Sequence, residues 1–195
     1  MLTEKEKAIA GQLYNAADPI LIKERDDAHL ICYQYNSSSS DRLNQQEILN
    51  KLLGKVGSNC SIEAPFFCDY GYNIFLGDDV YFNFNCTILD AAPVYIGNGV
   101  KLAPEVQLYT AGHPIDPSNR ASCLEFASSI RIEDNVWVGG GSILLPGVSV
   151  GINTVIGAGS VVTKSLPSNV VAVGNPCRVI KQISLNNENP TNSSS

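Results

Sequence analysis

From Ile132 onward an aliphatic residue occupies every sixth position: Ile132, Val138, Leu144, Val150, Ile156 and Val162. A helix repeats its apolar face near 3.6 residues and a half-buried strand near 2, so a sustained step of six needs another geometry. A coiled β-solenoid supplies it. Each hexad is a short strand followed by a corner, with the aliphatic residue and the residue two before it pointing inward. The second inward slots are then Ile130, Val136, Ser142, Val148, Thr154 and Ser160, mostly small or β-branched. Gly139, Gly151 and Gly157 directly follow three of the aliphatic positions, where the corner is expected to require positive φ.

The same step recurs upstream with less regularity. Leu76, Phe82 and Ile88 form one set and Ile96, Leu102 and Leu108 another, offset by two residues around Ala92 and Pro93. Ile62, Cys68 and Ile74 are read as an opening coil. Between Leu108 and Ile132 the spacing stays a multiple of six, yet Pro114, Arg120 and Phe126 occupy the register. This stretch is expected to leave the solenoid as a loop over residues 109–131, and a loop on a rigid repeat scaffold is a favoured place for chemistry.

The chain before the repeats has helical texture. Residues 3–15 are expected to form a helix, and Asp18 followed by Pro19 is an N-cap and first-turn pair for a second helix running towards Tyr35. After a flexible joint at 36–41, Asp41 is expected to cap a third helix whose apolar stripe is Leu43, Ile48, Leu49, Leu52 and Leu53 and whose stop is Gly54. The polar residues 184–195 are expected to be disordered. The pattern therefore divides the chain into a helical segment over 1–55, a mainly β solenoid over 56–183 and a tail.

A chain of 195 residues with 44% hydrophobic and 16% charged residues can bury one core. Its net charge of −6, with no Lys/Arg cluster, argues against nucleic acid and anionic membrane as partners. The N-terminus lacks the apolar core of a signal peptide and no stretch reaches the length of a membrane span, so the expected location is the cytoplasm. Six scattered cysteines without a CxxC pair, and only two histidines, give no metal-site pattern, so no metal is expected and most cysteines are read as small buried hydrophobes.

Candidate chemistry lies in the loop and around it. His113 stands in TAGHPID, where an imidazole with a reference pKa near 6.5 could take a proton from a hydroxyl. Read locally, a lone histidine is more simply a solvated loop side chain. Tyr81, Asn83 and Asn85 alternate along one expected strand, where they either hydrogen-bond a hydroxylated ligand or fill a solenoid ladder. Trp137 precedes an inward valine and should face outward. Lys164, Arg178 and Lys181 are either phosphate-binding groups or solubilising charge.

The hexad run together with YGYNIFLG, NFNCTILD, TAGHPID, NVWVGG, VIGAGSVVTK and GNPCRVIK resembles the maltose and galactoside O-acetyltransferases of the hexapeptide-repeat superfamily. LDAAPVYIG and TAGHPID are nearer to the maltose branch. The resemblance covers residues 1 to about 183. It implies a left-handed parallel β-helix, a homotrimer, and acetyl-CoA bound in clefts between subunits, with acetyl passed to a sugar hydroxyl, commonly the 6-position. It also implies roles for individual residues: His113 as general base with Asn83 hydrogen-bonding beside it; Asp18, Asp69, Tyr81 and Glu125 around the acceptor; and Trp137, Gly140, Ala158, Thr163, Lys164, Arg178 and Lys181 along the coenzyme. The Gly140 amide is the implied donor to the thioester oxygen. The chain departs from the galactoside branch at Ala91, where that branch is acidic, and at Asp69, where it carries serine. Lys181 replaces an arginine of some members. Two other readings stand beside this one: a non-catalytic β-solenoid scaffold, and an acetyltransferase acting on an amino sugar or an antibiotic.

Overall fold

The computed structural model of the chain describes residues 2–38 and 42–184. Its hexads form a left-handed parallel β-helix whose three walls are stacks of short parallel strands. One wall stacks Ile74–Leu76, Val94–Ile96, Ile130–Ile132 and Ser149–Val150; the second includes Tyr81–Phe82, Lys101–Leu102, Trp137–Val138 and Val155–Ile156; the third includes Cys86–Leu89, Gln107–Tyr109, Ile143–Leu144 and Val161–Val162. Register partners stand 20 residues apart in the lower coils (Ile62 with Phe82, Phe82 with Leu102) and 18 apart in the upper ones (Ile132 with Val150, Val138 with Ile156). Across the loop the step is 36, from Ile96 to Ile132, which keeps the stack in register while adding a long excursion.

The six aliphatic positions from Ile132 to Val162 are at most 1% exposed, and full burial of each such side chain stabilises by roughly 1.5–3 kcal/mol. The second inward slots are also buried, including three hydroxyls that each find a carbonyl: Ser142 Oγ donates to Gly157 O at 3.1 Å, Thr154 Oγ1 to Pro167 O at 2.7 Å and Ser160 Oγ to Gly157 O at 2.5 Å. Ile74 points inward but stacks under Val94, so Leu76, under Ile96, completes the opening coil that the spacing assigned to Ile74. The expectation of positive φ at the glycine after each aliphatic residue is corrected. Left-handed backbone falls three residues after the aliphatic position, at Asp79, Asn85, Gly99, Glu105, Asn135, Gly141, Asn153 and Gly159. The earlier glycine answers a different constraint, close approach of the next coil. A Cβ on Gly97 would lie 2.4 Å from Asp134 Oδ1 and 2.7 Å from Asp134 N.

Helices α1 (Glu4–Ile9), α2 (Pro19–Ser37) and α3 (Arg42–Leu52) precede the coils. Helix α1 begins at Thr3, whose hydroxyl accepts from Glu6 N at 3.2 Å while Glu6 Oε2 accepts from Thr3 N at 2.7 Å. It ends well before the expected residue 15: the chain turns at Gly11 (φ 70°) and Tyr14–Asn15 become a strand. That strand forms because the edge of the excursion loop is there to pair with it, a partner no local pattern reveals. Asp18 caps α2 as expected, its Oδ1 accepting from Ile20 N at 2.9 Å and Leu21 N at 3.3 Å. Ala28, Cys32 and Tyr35 of α2 and Ile48, Leu49 and Leu52 of α3 join the core of the lower coils. The cap expected at Asp41 and the tail from residue 185 lie outside the described residues. No described helix is long and apolar enough to cross a membrane.

Candidate active site

The loop that leaves the third wall after Tyr109 is itself folded. Ala111 and Gly112 pair antiparallel with Ala127 and Phe126, and the returning strand Leu124–Ala127 pairs on its other side with Tyr14–Asn15. Asp116 caps a short helical turn, α4 (Pro117–Arg120), at the tip. A Cβ on Gly112 would lie 2.5 Å from the Phe126 ring, so any larger residue directly before His113 has to displace that ring. The His113 side chain is 58% exposed, with Nε2 3.8 Å from Glu125 Oε1. Tyr14, only 1% exposed, donates through its hydroxyl to Glu125 Oε2 at 2.7 Å. The acid beside the histidine is thus fixed by a buried phenol, and a carboxylate so placed stabilises the imidazolium that proton uptake creates. Burial, followed by the hydrogen bond to Glu125, drives the Tyr14 phenol well above its ordinary pKa, so it remains a donor.

Beneath the loop lies a second polar layer. Arg25 Nη1 donates to Tyr70 Oη at 2.7 Å and Nη2 to Ala16 O at 2.9 Å, tying α2 to the lower coils. Burial raises the Asp69 carboxyl, against the pull of Arg25. Its backbone is set by Asp90, whose Oδ1 accepts from Asp69 N at 3.1 Å and Tyr70 N at 2.8 Å while Oδ2 accepts from Asn73 N at 3.3 Å. Asp90 is fully buried, and desolvation pushes its pKa up to about 6 despite those bonds. Ala91 is buried in the small cluster that also holds Tyr14 and Tyr70. A cavity of about 560 Å³ opens beside this layer, lined by His29, Cys32, Tyr33, Phe67, Asp69 and Leu89 among others. Asp18 spends one carboxylate oxygen on its own helix amides.

The remaining expected residues stand on another edge of the triangular section. Tyr81 and Trp137 project from the second wall, Trp137 with 54% exposure, as its place before inward Val138 requires. The expected alternation of Tyr81, Asn83 and Asn85 is corrected. The strand ends at Phe82, Asn83 begins the corner with its Oδ1 accepting from Phe84 N at 2.8 Å, and Asn85 holds the left-handed position (φ 61°). The corner two coils above contains Gly140, with Ala158 one coil higher again; Gly159 N donates to Gly140 O at 2.8 Å and Gly141 N to Pro104 O at 2.9 Å. Among the described residues the Gly140 amide itself donates to no protein acceptor. Thr163 and Lys164 are exposed on the third wall's far end. Arg178 and Lys181 lie on the exposed strand Arg178–Gln182, which runs antiparallel to Val170–Val173 at the edge of the second wall.

One chain therefore assembles His113, Glu125 and Asp69 at one edge, and Tyr81, Asn83, Trp137, Gly140 and Ala158 along another. Residue-type reasoning passed over Tyr14, Arg25 and Tyr70. Tyr14 meets Glu125 across 111 positions of sequence, a pairing without any local signal. No group of three or more His, Cys, Asp or Glu side chains suited to a metal ion occurs among the described residues. Of the six cysteines, four are buried, Cys60 is partly exposed and Cys123 is exposed.

Residues 7–57 match the family description maltose acetyltransferase hexapeptide capping motif, and residues 129–164 match bacterial transferase hexapeptide (six repeats). A putative acetyltransferase of Saccharomyces cerevisiae is 48% identical over 189 residues, covering 96% of each chain. Among solved structures, a maltose O-acetyltransferase from Clostridium difficile 630 superposes with a TM-score of 0.92 at 49% identity, over 94% of this chain and 99% of that one. A galactoside acetyltransferase in complex with coenzyme A superposes with a TM-score of 0.88 at 35% identity, over 94% and 92% of the two chains.

Proposed function

The chain belongs to the maltose and galactoside O-acetyltransferase family of hexapeptide-repeat acyltransferases, and from that premise we propose that it transfers acetyl from acetyl-CoA to a sugar hydroxyl, the 6-hydroxyl of maltose, glucose or a galactoside. The observation that carries this reading is the half-exposed His113 beside Glu125, with Glu125 held in turn by buried Tyr14. In this reading His113 removes the proton from the bound hydroxyl as its oxygen attacks the thioester carbonyl. The unpaired Gly140 N–H receives the negative charge that develops on the carbonyl oxygen, and the sulfur leaves and recovers the proton from the imidazolium. Asn83 hydrogen-bonds beside the histidine, while Asp18, Asp69, Tyr81 and Glu125 surround the sugar.

Trp137, Gly140, Ala158 and Thr163 line the coenzyme, and Lys164, Arg178 and Lys181 meet its phosphates. The separation of the two residue groups onto different edges of one chain supports placing the site between subunits of a homotrimer, where one chain's His113 edge faces the next chain's Gly140 edge. We place the enzyme in the cytoplasm, where acetyl-CoA is made. The test is acetyl-CoA-dependent release of free thiol, screened over maltose, glucose, galactosides, their 6-deoxy analogues and amino sugars. Release with the 6-hydroxy sugars and none with their 6-deoxy forms is expected; equal release with both refutes the assigned position. Solution mass at three times the chain mass checks the trimer, and a stable monomer would refute the shared site.

A further inference from the structure

Two thiols that the chemistry above leaves unused meet at the wall of the cavity beside Asp69. Cys32, on α2, and Cys68, at the end of the strand Phe66–Cys68, have their sulfurs 3.6 Å apart. Both are 3% exposed, both are free thiols, and both line the 560 Å³ cavity together with His29 and Tyr33. Among the described residues they are the only cysteine pair in sulfur–sulfur contact, and they sit on elements that pack directly against each other. A disulfide needs its sulfurs near 2.05 Å, a closure of about 1.5 Å that side-chain rotation and a small shift of α2 can supply.

We propose that Cys32 and Cys68 form a reversible dithiol–disulfide site, oxidised by hydrogen peroxide entering through the cavity, and that closure of this bond alters the acceptor side of the enzyme through Asp69. Cys32 attacks one peroxide oxygen, giving a sulfenic acid and water. Cys68 then attacks that sulfur, the S–S bond forms, and hydroxide leaves with the Cys68 proton as a second water; the two electrons lost by the sulfur pair reduce the peroxide. The hydrogen bond from Cys68 lowers the Cys32 thiol below its ordinary pKa and correspondingly raises Cys68, which orders the pair as attacking and resolving thiols. The coupling to function follows from chain adjacency. Asp69 is the residue after Cys68, and α2 carries Arg25, which bonds Tyr70 and Ala16. Pulling α2 and the strand together moves the Asp69 backbone, which follows Cys68 directly, and Arg25, whose charge acts on the Asp69 carboxylate.

The functional half of this proposal rests on the sugar acetyltransferase reading, whereas the covalent half does not. Reduced protein is treated with hydrogen peroxide, then denatured, titrated for thiols and peptide-mapped. Titratable thiols are expected to fall from six to four, with Cys32 linked to Cys68, and dithiothreitol should restore six. Six thiols after peroxide, or a linkage between other cysteines, overturns the site. Cys32→Ala should lose the linkage and Cys123→Ala, changed at an exposed position, should retain it; the wild-type map decides the matter even if Cys32→Ala fails to fold. In steady-state assays the linked protein should show a KM for the sugar changed by about threefold or more, with that for acetyl-CoA nearly constant. An unchanged sugar KM in protein proved linked by mass refutes the coupling to Asp69. Absence of transfer by the reduced protein counts against the acetyltransferase reading and leaves the linkage to be judged by the map.

Discussion

Replacing Gly140 by proline removes one N–H from the proposed oxyanion position and little else. The structure contains its own control for this substitution. Lys101–Leu102 pairs with Trp137–Val138 and Gln107–Leu108 with Ile143–Leu144, so Pro104 occupies in the coil below the corner position that Gly140 holds above. The corner backbone thus already accommodates proline. A Cβ at Gly140 would approach Pro104 O at 3.1 Å, which asks a few tenths of an ångström of its neighbour, and the carbonyl that Gly159 N uses is kept. Because the Gly140 amide donates to no protein acceptor among the described residues, its loss leaves no fold-stabilising bond broken. Loss of a single oxyanion donor costs about 2.7–4 kcal/mol in the transition state, so kcat should fall about 10²- to 10³-fold with the KM values little changed. Gly140→Ala, which keeps the N–H and adds the same Cβ, should stay within about tenfold of the parent. The assay is thiol release under saturating acetyl-CoA, with thermal melts to establish that both variants fold. Near-parental kcat in a folded Gly140→Pro protein would refute the role of this amide.

His113→Ala should lower turnover by about 10²-fold or more while coenzyme A binding, measured calorimetrically, is unchanged; parental turnover would remove the histidine from the reaction. Tyr14→Phe deletes the 2.7 Å bond to Glu125 at a buried site and should cost about 1–3 kcal/mol in denaturant unfolding, together with a fall in kcat; an effect on neither would show that Glu125 needs no anchor. The Asp90 pKa near 6 lies above the unfolded value of 3.8, so its neutral form is favoured by folding: the stabilisation is full below pH 4 and is lost as pH rises through 6. The difference is about 3 kcal/mol, and Asp90→Asn should flatten this part of the stability profile between pH 4 and 7. Gly97→Ala drives a Cβ against Asp134 backbone and side chain and should destabilise by about 1–3 kcal/mol in the same denaturant assay.

The legibility of this protein in its sequence follows the range of the interactions involved. A step of six was readable because each inward residue is dictated by its own hexad; Val138, Val150 and Val162 are buried for the same local reason. Trp137 was placed outward by the same arithmetic. The corners are less legible, because glycine signals both positive φ and close approach, and only the stacked coil distinguishes them: Gly97 is crowded by Asp134, 37 positions away. The first helix stops at Ile9, short of residue 15, because Tyr14–Asn15 pair with a strand of the loop for which residues 10–15 carry no local signal.

For the site, the sequence by itself determined the scaffold, the place where the repeat opens, and the residue types offered there, since those depend on periodicity and on the chemistry of single side chains. Tertiary structure alone decided which of them meet. It joined Tyr14 to Glu125 and Arg25 to Tyr70, folded the loop into a hairpin braced by the N-terminal strand, and set His113 and Gly140 on different edges of one chain. Hydrogen bonds and ion pairs between distant segments depend on where the coils bring the backbone, and a six-residue repeat fixes that path only after every coil has been stacked.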